Sequence, residues 1–269
     1  MTAWICVTCG NQHADTPSPP VVCAICADER QWVPPDGQRW TSLPELGVAG
    51  HATEVAEVEP GLTGIGVAPR VGIGQRALVV RTAGGALLWD PPGFLDDAAV
   101  AAMWEAGGLS AISASHPHFY GVAVEWSRAF DGVPILLPEA DRGWLMRPDP
   151  AVRRWTEELE VLPGVTLVRC GGHFDGSAVV HWAGGAGGRG ALLVGDTVLV
   201  TPGLDRVGFM RSPPNFLPLP APAVHRVVET LERRTYDRIH GGWWSTTIAT
   251  GARDVVRASA RRHVEWLGA

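Results

Sequence analysis

The sequence predicts an α/β fold, of the α+β kind, in which two mixed sheets carry helices on their outer faces. A small N-terminal module held by a metal ion precedes it. From about residue 41, short apolar runs bounded by Gly and Pro alternate with amphipathic segments, which is typical of strands that pair locally and of helices that cover a sheet. Before that point, four of the five cysteines form two Cys-x-x-Cys pairs. The predicted boundaries are 1–40 for the module and 41–269 for the main domain.

The composition is typical of a soluble globular protein. No stretch approaches the roughly 18 to 20 consecutive apolar residues that span a bilayer, and the N-terminus has no basic segment followed by an apolar one. We therefore expect a cytoplasmic protein that has no membrane partner. The 22 basic and 28 acidic residues give a formal charge of −6, which disfavours nucleic acid as a partner. Every basic residue is Arg, so chemistry that depends on a Lys is excluded.

The two cysteine pairs are Cys6 with Cys9 and Cys23 with Cys26. Two intervening residues let a tight turn present both sulfur atoms to one metal ion, and Gly10 supplies the backbone freedom that such a turn uses. Four thiolates in a cytosolic chain favour a structural zinc ion over disulfides. A rubredoxin-like iron centre and a redox dithiol pair remain open alternatives. The module is predicted to act either as a stabilising clip or as a docking surface.

The predicted elements follow from apolar runs and helix caps. Gly84-Gly85 separates two apolar runs and indicates a β-hairpin, and Asp96 is placed to cap a helix. Strands are predicted at 77–80, 86–89, 110–114, 134–137, 165–169, 178–182, 191–194, 197–200 and 236–239, and helices at 96–106, 122–129, 151–158, 221–234 and 247–267.

Candidate metal ligands follow several of the predicted strands, next to Gly or Pro. His116 and His118 come after the strand at 110–114, and His173 comes after the strand at 165–169. Asp196 and His240 follow two further strands. Imidazole and carboxylate donors of this kind suit Zn or Fe(II). The remaining histidines are interpreted as structural, and Cys170 is interpreted as a small buried apolar residue.

The order of these segments resembles the metallo-β-lactamase superfamily. Members carry an HxHxDH loop, a Gly-His segment, a Gly-Asp turn and a final His before Gly. The matching segments here are Ser115 to Gly121, Gly172 to Ser177, Gly195-Asp196 and His240-Gly241, within about residues 50–245. The resemblance implies a four-layer αβ/βα sandwich with a metal site at one edge. It also implies an enzyme that uses a metal-activated water to hydrolyse an ester, thioester, lactone, amide or phosphodiester.

The chain departs from that family pattern at two ligands. Tyr120 stands where the family has Asp, and Gly121 stands where it has His. Both missing groups belong to the family's second metal site, whereas the first site is complete with His116, His118 and His173. We therefore expect one Zn or Fe ion, with Asp196 as a further ligand or hydrogen-bond partner and His240 nearby. A second ion is disfavoured.

The candidates for catalytic roles are Tyr120, Asp175, Asp196 and His240. Tyr120 either donates a hydrogen bond to a developing oxyanion, or ligates the metal, or is a buried ring with a satisfied hydroxyl. A phenol with a pKa near 10 is a poor base at neutral pH. Asp175 and His240 are therefore the remaining candidates for proton transfer.

The leading hypothesis is a metal-dependent hydrolase of a small-molecule substrate. One alternative is a mononuclear Fe(II) oxidative enzyme, and another is a non-catalytic metal-binding or interaction protein. The Pro-rich segment 202–222 is predicted either to pack as a loop on the body or to form one wall of an apolar substrate pocket. Trp243 and Trp244 are candidate aromatic walls, with core packing as the competing interpretation.

Overall fold

The computed structural model describes residues 1–268 and begins with a small antiparallel sheet. Its strands pair in the order β2-β1-β3. They are β1 (Thr2–Cys6), β2 (Gln12–Thr16) and β3 (Trp40–Thr41), and helix α1 (Leu43–Val48) follows. The first Cys pair lies at the end of β1 and in the turn before β2, and the second pair lies in a later turn. We call residues 1–40 the ribbon.

The first large sheet has seven strands in sequential order. The first four are antiparallel, and the last three join in parallel. Parallel neighbours require a crossover, and two helices lie in the connections between β7, β8 and β9. The elements are β4 (Ala52–Glu59), β5 (Leu62–Ala68), β6 (Ala77–Thr82), β7 (Gly85–Trp89), α2 (Asp97–Glu105), β8 (Ala111–Ser113), a 3₁₀ helix (Pro117–Phe119), α3 (Ala123–Ala129), β9 (Ile135–Pro138), a second 3₁₀ helix (Glu139–Trp144) and β10 (Val152–Trp155).

The second large sheet has the order β11-β12-β13-β14-β19-β20, and its only parallel pair is β14 with β19. Two small hairpins lie between β14 and β19 in the chain, β15 with β16 and β17 with β18. No helix within residues 1–268 combines the length and apolar character needed to cross a membrane. The elements are β11 (Glu158–Leu162), β12 (Val165–Arg169), β13 (Ala178–Trp182), α4 (Gly185–Gly188), β14 (Ala191–Leu193), β15 (Leu199–Val200), β16 (Val207–Gly208), β17 (Met210–Ser212), β18 (Leu217–Pro218), α5 (Ala221–Glu232), β19 (Arg238–His240), β20 (Thr247–Ile248) and α6 (Ala252–Trp266).

Both faces of each sheet are covered, which gives the four-layer αβ/βα sandwich. Successive side chains of a strand point to opposite faces, and the core residues follow this alternation. In β6, Val80 packs between the two sheets whereas Val79 packs with α2 and α3. In β13, Val180 faces the other sheet whereas Val179 packs with α5 and α6. Two helical layers therefore enclose two sheets, as the fold prediction required.

Local sequence signals placed several elements correctly. The hairpin at Gly84-Gly85 joins β6 and β7. The side chain of Asp96 accepts a hydrogen bond from the Ala99 amide at the start of α2, as its capping role predicted. Segments 165–169 and 178–182 are strands with the predicted bounds.

Three predicted elements are wrong or wrong in part. The predicted helix at 151–158 is instead strand β10 followed by the start of β11, because Val152–Trp155 pairs in parallel with β9. The predicted helix at 247–267 begins only at 252, since 247–248 pairs with β19 and Gly251 turns the chain with φ 66°. The predicted strand at 197–200 is reduced to Leu199–Val200. In the first two cases pairing with another strand of the sheet overrides the helical pattern of the segment.

Candidate functional site

Four of the predicted ligands meet in one buried cluster. One ligand atom from each of His116, His118, His173 and Asp196 lies within 4.8 Å of the other three. His118 Nδ1 is 3.3 Å from His173 Nε2, and His116 Nε2 is 3.8 Å from Asp196 Oδ2. Two nitrogens bound tetrahedrally to one zinc ion at about 2.0–2.1 Å lie about 3.3 Å apart. This set, which we call the His cluster, therefore fits one divalent ion.

In His116 and His173, a hydrogen bond to one ring nitrogen determines which nitrogen faces the centre of the His cluster. Ser115 Oγ and His116 Nδ1 share a hydrogen bond of 2.9 Å. His173 Nδ1 donates to the backbone carbonyl of Arg211 at 2.8 Å. Both interactions leave Nε2 for a metal ion, and His116 Nε2 is buried with no hydrogen-bond partner within residues 1–268.

Asp90 is a positioning residue that the sequence analysis did not single out. It directly follows β7, and its Oδ1 accepts a hydrogen bond from the Ser115 amide at 2.6 Å. Burial raises the pKa of Asp90 to about 8. Gly195 is required nearby because a Cβ there would overlap Ser115 Oγ. The candidate ligands were predicted because each is a polar residue at the end of an apolar strand. Asp90 fits the same pattern.

Burial controls the protonation of the cluster. It lowers the pKa of His116 and His118 well below 6.5 and that of His173 to about 4. Their imidazoles are therefore neutral at pH 7, the form that binds a metal ion. Burial raises the pKa of Asp196 to about 7, so a nearby cation favours its carboxylate strongly.

His240 lies outside the His cluster in the structure. Its Nε2 is 3.3 Å from Glu59 Oε1, and its Nδ1 is 3.2 Å from Thr247 Oγ1. Glu59 also forms an ion pair with Arg238. Burial lowers the pKa of His240 to about 3, so the ring is neutral at pH 7. No pattern in the sequence distinguishes Glu59 from the other acidic residues of β4.

We expect His240→Ala to keep the metal ion of the His cluster, because both ring nitrogens already have protein partners. The metal content per chain, measured by elemental analysis after dialysis, should equal that of the unchanged protein. Glu59→Gln is the matched variant, since it weakens the same contact from the other side and should also keep the metal. Loss of an ion in His240→Ala alone would contradict this expectation.

Tyr120 and Asp175 are not brought into the His cluster. Tyr120 is buried and lines a small cavity with Asn11 and Leu137, and burial raises its pKa well above 10. Its hydroxyl has no hydrogen-bond partner in the part of the chain that the structure describes. Asp175 is exposed and lines a different cleft, together with Arg169. Within residues 1–268, neither side chain forms a hydrogen bond or ion pair with a candidate ligand, so both residues stay catalytic predictions.

The structure explains why glycine occupies position 121. Gly121 has φ 48°, and a Cβ there would overlap the backbone carbonyl oxygens of Pro91 and Pro92. A larger residue is therefore excluded by the close approach of the 91–92 backbone.

The cysteines of the ribbon form a second candidate metal site. All four are buried and unpaired by disulfides. Cys6 Sγ is 3.6 Å from Cys26 Sγ, and Cys9 Sγ is 3.8 Å from Cys23 Sγ. Sulfur atoms bound tetrahedrally to one zinc ion at about 2.3 Å lie about 3.8 Å apart. The distances therefore fit one shared ion, and they are too long for disulfide bonds.

The fifth cysteine, Cys170, is separate from both candidate sites. It directly follows β12 of the second sheet and packs with the buried side chains that face α5 and α6. Burial raises the pKa of the Cys170 thiol to about 12, so it is not a reactive thiolate at neutral pH. This supports the interpretation of Cys170 as a small buried apolar residue.

The ribbon contacts both histidine loops of the main domain. Asn11 Nδ2 donates to the His118 carbonyl at 2.9 Å. Arg30 Nη1 donates to the His173 carbonyl at 3.4 Å, and its guanidinium lies 3.9 Å from the centre of the Phe174 ring. The carboxylate of Asp28 holds this guanidinium by two hydrogen bonds of 2.6 and 3.1 Å. The ribbon therefore braces the two loops that carry the His cluster.

One buried carboxylate beside these loops affects stability. Asp141 Oδ1 accepts a hydrogen bond from the Gly176 amide at 2.8 Å, whereas Oδ2 has no partner within residues 1–268. Burial raises the pKa of Asp141 to about 6, above its value of about 3.9 in an unfolded chain. Between these pKa values the folded state binds more protons, so this group makes the protein less stable as pH rises from about 4 to about 6.

We expect Asp141→Asn to remove that penalty, because the amide oxygen keeps the hydrogen bond from Gly176 and carries no charge. The free energy of unfolding at pH 7.5 should rise by about 1–2 kcal/mol, with no gain near pH 4. Urea unfolding of both proteins at several pH values measures the difference. A gain of the same size at every pH would contradict this account.

A cavity of about 490 Å³ opens over the His cluster. Side chains of the ribbon, of the loop after β5 and of the Pro-rich segment surround it. Pro213, Pro214 and Trp243 line it, as the sequence analysis allowed, whereas Trp244 packs against Gly64 and Gly66 instead. The lining residues are Val7, Thr8, Gln31, Trp32, Pro34, Arg39, Arg70, Gly72, Ile73, His118, Asp196, Pro213, Pro214 and Trp243.

Comparison with known proteins identifies a relative that matches nearly the full length of the chain. The chain is 39% identical over 269 residues to the uncharacterized protein YmaE of Bacillus subtilis, covering 99% of this chain and 97% of that protein. The chain belongs to the YmaE family. No family model matches the sequence.

Solved structures show the fold of this YmaE family member. The DIM-1 metallo-β-lactamase matches with a TM-score of 0.57 and 16% identity, over 78% of this chain and 97% of that chain. A structure of TMB-1 matches with a TM-score of 0.59 and 13% identity, over 81% and 99%. A metallo-β-lactamase of Cronobacter sakazakii matches with a TM-score of 0.51 and 16% identity, over 81% and 95%. The protein therefore has the metallo-β-lactamase fold, which confirms the predicted resemblance.

Proposed function

We propose that the protein is a metal-dependent hydrolase that uses a metal-activated water on an ester, thioester, lactone or phosphodiester of a small molecule. The observation that carries this proposal is the buried His cluster at the base of a cavity of about 490 Å³. Three neutral imidazoles and one carboxylate are a donor set for Zn or Fe, and His118 and Asp196 also line the cavity. A substrate in the cavity can therefore reach the ligand atoms.

Each residue of the site has a proposed role. His116, His118 and His173 would hold one ion. Ser115 orients His116 and is itself held by Asp90, and the Arg211 carbonyl orients His173. The three histidines would hold a divalent ion, which would supply Lewis-acid chemistry and a water of lowered pKa. Hydrolysis then adds water across the scissile bond and releases an acid together with an alcohol or thiol.

Asp196 is the proposed ligand and proton acceptor. Its Oδ2 faces His116, whereas Oδ1 is buried without a hydrogen-bond partner in residues 1–268. The second oxygen is thus available to accept a proton from the attacking water. His240 and Asp175 have no comparable position, and Tyr120 lines a different cavity. A single ion is supported because His240, a family ligand of a second ion, contacts Glu59.

The ribbon, residues 1–40, is proposed to carry a structural zinc ion in the Cys6, Cys9, Cys23 and Cys26 site. Residues 41–269 form the proposed catalytic domain. The contacts of Asn11 and Arg30 with the histidine loops support a bracing role for the ribbon rather than an independent one.

Elemental analysis of the full-length protein, combined with a panel of chromogenic esters, thioesters, lactones and phosphodiesters, tests the proposal. We expect two zinc ions per chain and turnover of at least one substrate class. Iron together with oxygen uptake and no hydrolysis would instead support the oxidative alternative. A filled His cluster without turnover of any class would contradict a hydrolase and favour a binding role.

A further inference from the structure

The rim of the cavity over the His cluster carries unpaired positive charge. Arg39 of the ribbon and Arg70 of the loop after β5 both line the cavity and are exposed. Within residues 1–268, neither guanidinium forms an ion pair, whereas most other arginines near the ribbon do, including Arg30 with Asp28 and Arg211 with Glu29.

Acidic side chains are almost absent from this cavity. Asp196 is the only carboxylate among the lining residues of the described chain, and it is a candidate metal ligand. The whole protein nevertheless carries a formal charge of −6. A bound divalent ion would neutralise Asp196 and add to the two arginines. The cavity is therefore a local cationic region in an acidic protein, and such a field concentrates anions.

The remaining wall is apolar. Trp32 of the ribbon is 46% exposed and faces the same cavity as Trp243 and the two prolines at 213 and 214. A large aromatic ring left half exposed beside a cavity offers contact area to a ligand. Apolar walls and a cationic rim together select for a molecule that has both an apolar body and a negative group.

We propose that the substrate of this site carries a carboxylate or phosphate group beside an apolar body, and that Arg39 and Arg70 bind this anionic group while Trp32 contacts the body. That the bound molecule is a substrate rests on the proposed hydrolytic function. The preference for an anionic ligand with an apolar body follows from the cavity alone. It also gives the ribbon a second role, because Trp32 and Arg39 belong to the ribbon and line the cavity.

Three probes without a hydrolysable ester test the preference separately from catalysis. They are 5-phenylpentanoate, 4-phenylbutylphosphonate and the neutral 5-phenylpentanamide, whose binding to the metal-loaded full-length protein is measured by calorimetry. We expect at least one anionic probe to bind about tenfold or more tightly than the amide, since charge-assisted hydrogen bonds from arginine are the stronger kind. Whichever anionic probe binds more tightly identifies the preferred anionic group as carboxylate or phosphate.

Variants assign the preference to the two arginines. In Arg39→Gln/Arg70→Gln we expect the preference to fall below about twofold, while Arg261→Gln, an exposed change on α6, keeps it. Trp32→Ala should weaken all three probes by a similar factor. Metal content and circular dichroism of each variant show that both metal sites and the fold are intact. A preference that persists in the double variant would assign anion binding to the metal ion and overturn the proposal, as would equal or absent binding of all probes by the unchanged protein.

If the hydrolysis panel fails but the anionic preference and its loss are observed, the cavity inference stands and only the catalytic proposal is overturned. If hydrolysis occurs without the anionic preference, the catalytic proposal stands and the cavity inference is overturned.

Discussion

In the variant His118→Ala, we expect the metal ion of the His cluster to be lost and hydrolysis to fall below about 1% of the original rate. The imidazole is buried against His173, so its removal takes away one of the four donor groups that surround the ion position. Loss of an outer hydrogen bond to a metal ligand already costs 10–100-fold in metal affinity, and loss of a ligand costs more, about 100-fold or beyond. Elemental analysis after dialysis and the rate on the best substrate of the panel measure both effects.

His225→Ala is the matched control for this change. His225 is exposed on α5 and belongs to neither metal cluster of the described residues. It should keep both ions and full activity. The ribbon should also retain its ion in His118→Ala, because its four ligands are cysteines. Unchanged metal content in His118→Ala would show that the His cluster is not the metal site.

In the variant Cys23→Ser/Cys26→Ser, we expect the ribbon to lose its ion and the His cluster to bind its own ion more weakly. The buried cluster around the cysteines adds only Ile25 to them, since the other fully buried apolar side chain of the ribbon, Ile5, packs into the core of the main domain; the metal ion therefore supplies much of the ribbon's own folding free energy. Once the ribbon unfolds, Asn11 and Arg30 no longer hold the carbonyls of the two histidine loops. We expect a loss of about 3 kcal/mol or more in stability and a fall of about 10–100-fold in the affinity of the His cluster for its ion.

Cys170→Ser is the matched control, since Cys170 is also a buried free cysteine but directly follows β12 of the second sheet, away from the ribbon. It should keep both ions, with a modest loss of stability from the buried hydroxyl. Competition with a zinc chelator, followed by elemental analysis, measures the affinity of each site. An unchanged affinity of the His cluster after loss of the ribbon ion would show that the ribbon does not brace the histidine loops.

Short-range spacing made part of each candidate ligand set predictable. The separation in a Cys-x-x-Cys pair and in His116-Pro117-His118 fixes how the side chains can turn towards one ion, because only local backbone geometry is involved. The same holds for the cap of α2 at Asp96 and for the hairpin between β6 and β7. Asp90 could have been found with the same reasoning, since it ends an apolar strand as the ligands do.

Contacts between distant segments were not predictable. Glu59 lies 181 residues before His240 in the chain, and only their proximity in the fold shows that His240 is hydrogen-bonded rather than free for a second ion. Likewise, β10 is a strand because β9 lies beside it, although its sequence also fits a helix.

The sequence by itself predicted the two groups of candidate ligands, with His240 added to the second group in error, and that strands and helices build the layered fold, because these depend on spacing and on apolar periodicity. Tertiary structure alone decided that the ribbon braces the histidine loops, that Tyr120 and Asp175 lie apart from the His cluster, and that Arg39, Arg70 and Trp32 border one cavity. These arrangements depend on how separate segments of the chain pack together. The apolar periodicity of the sequence does not specify that packing.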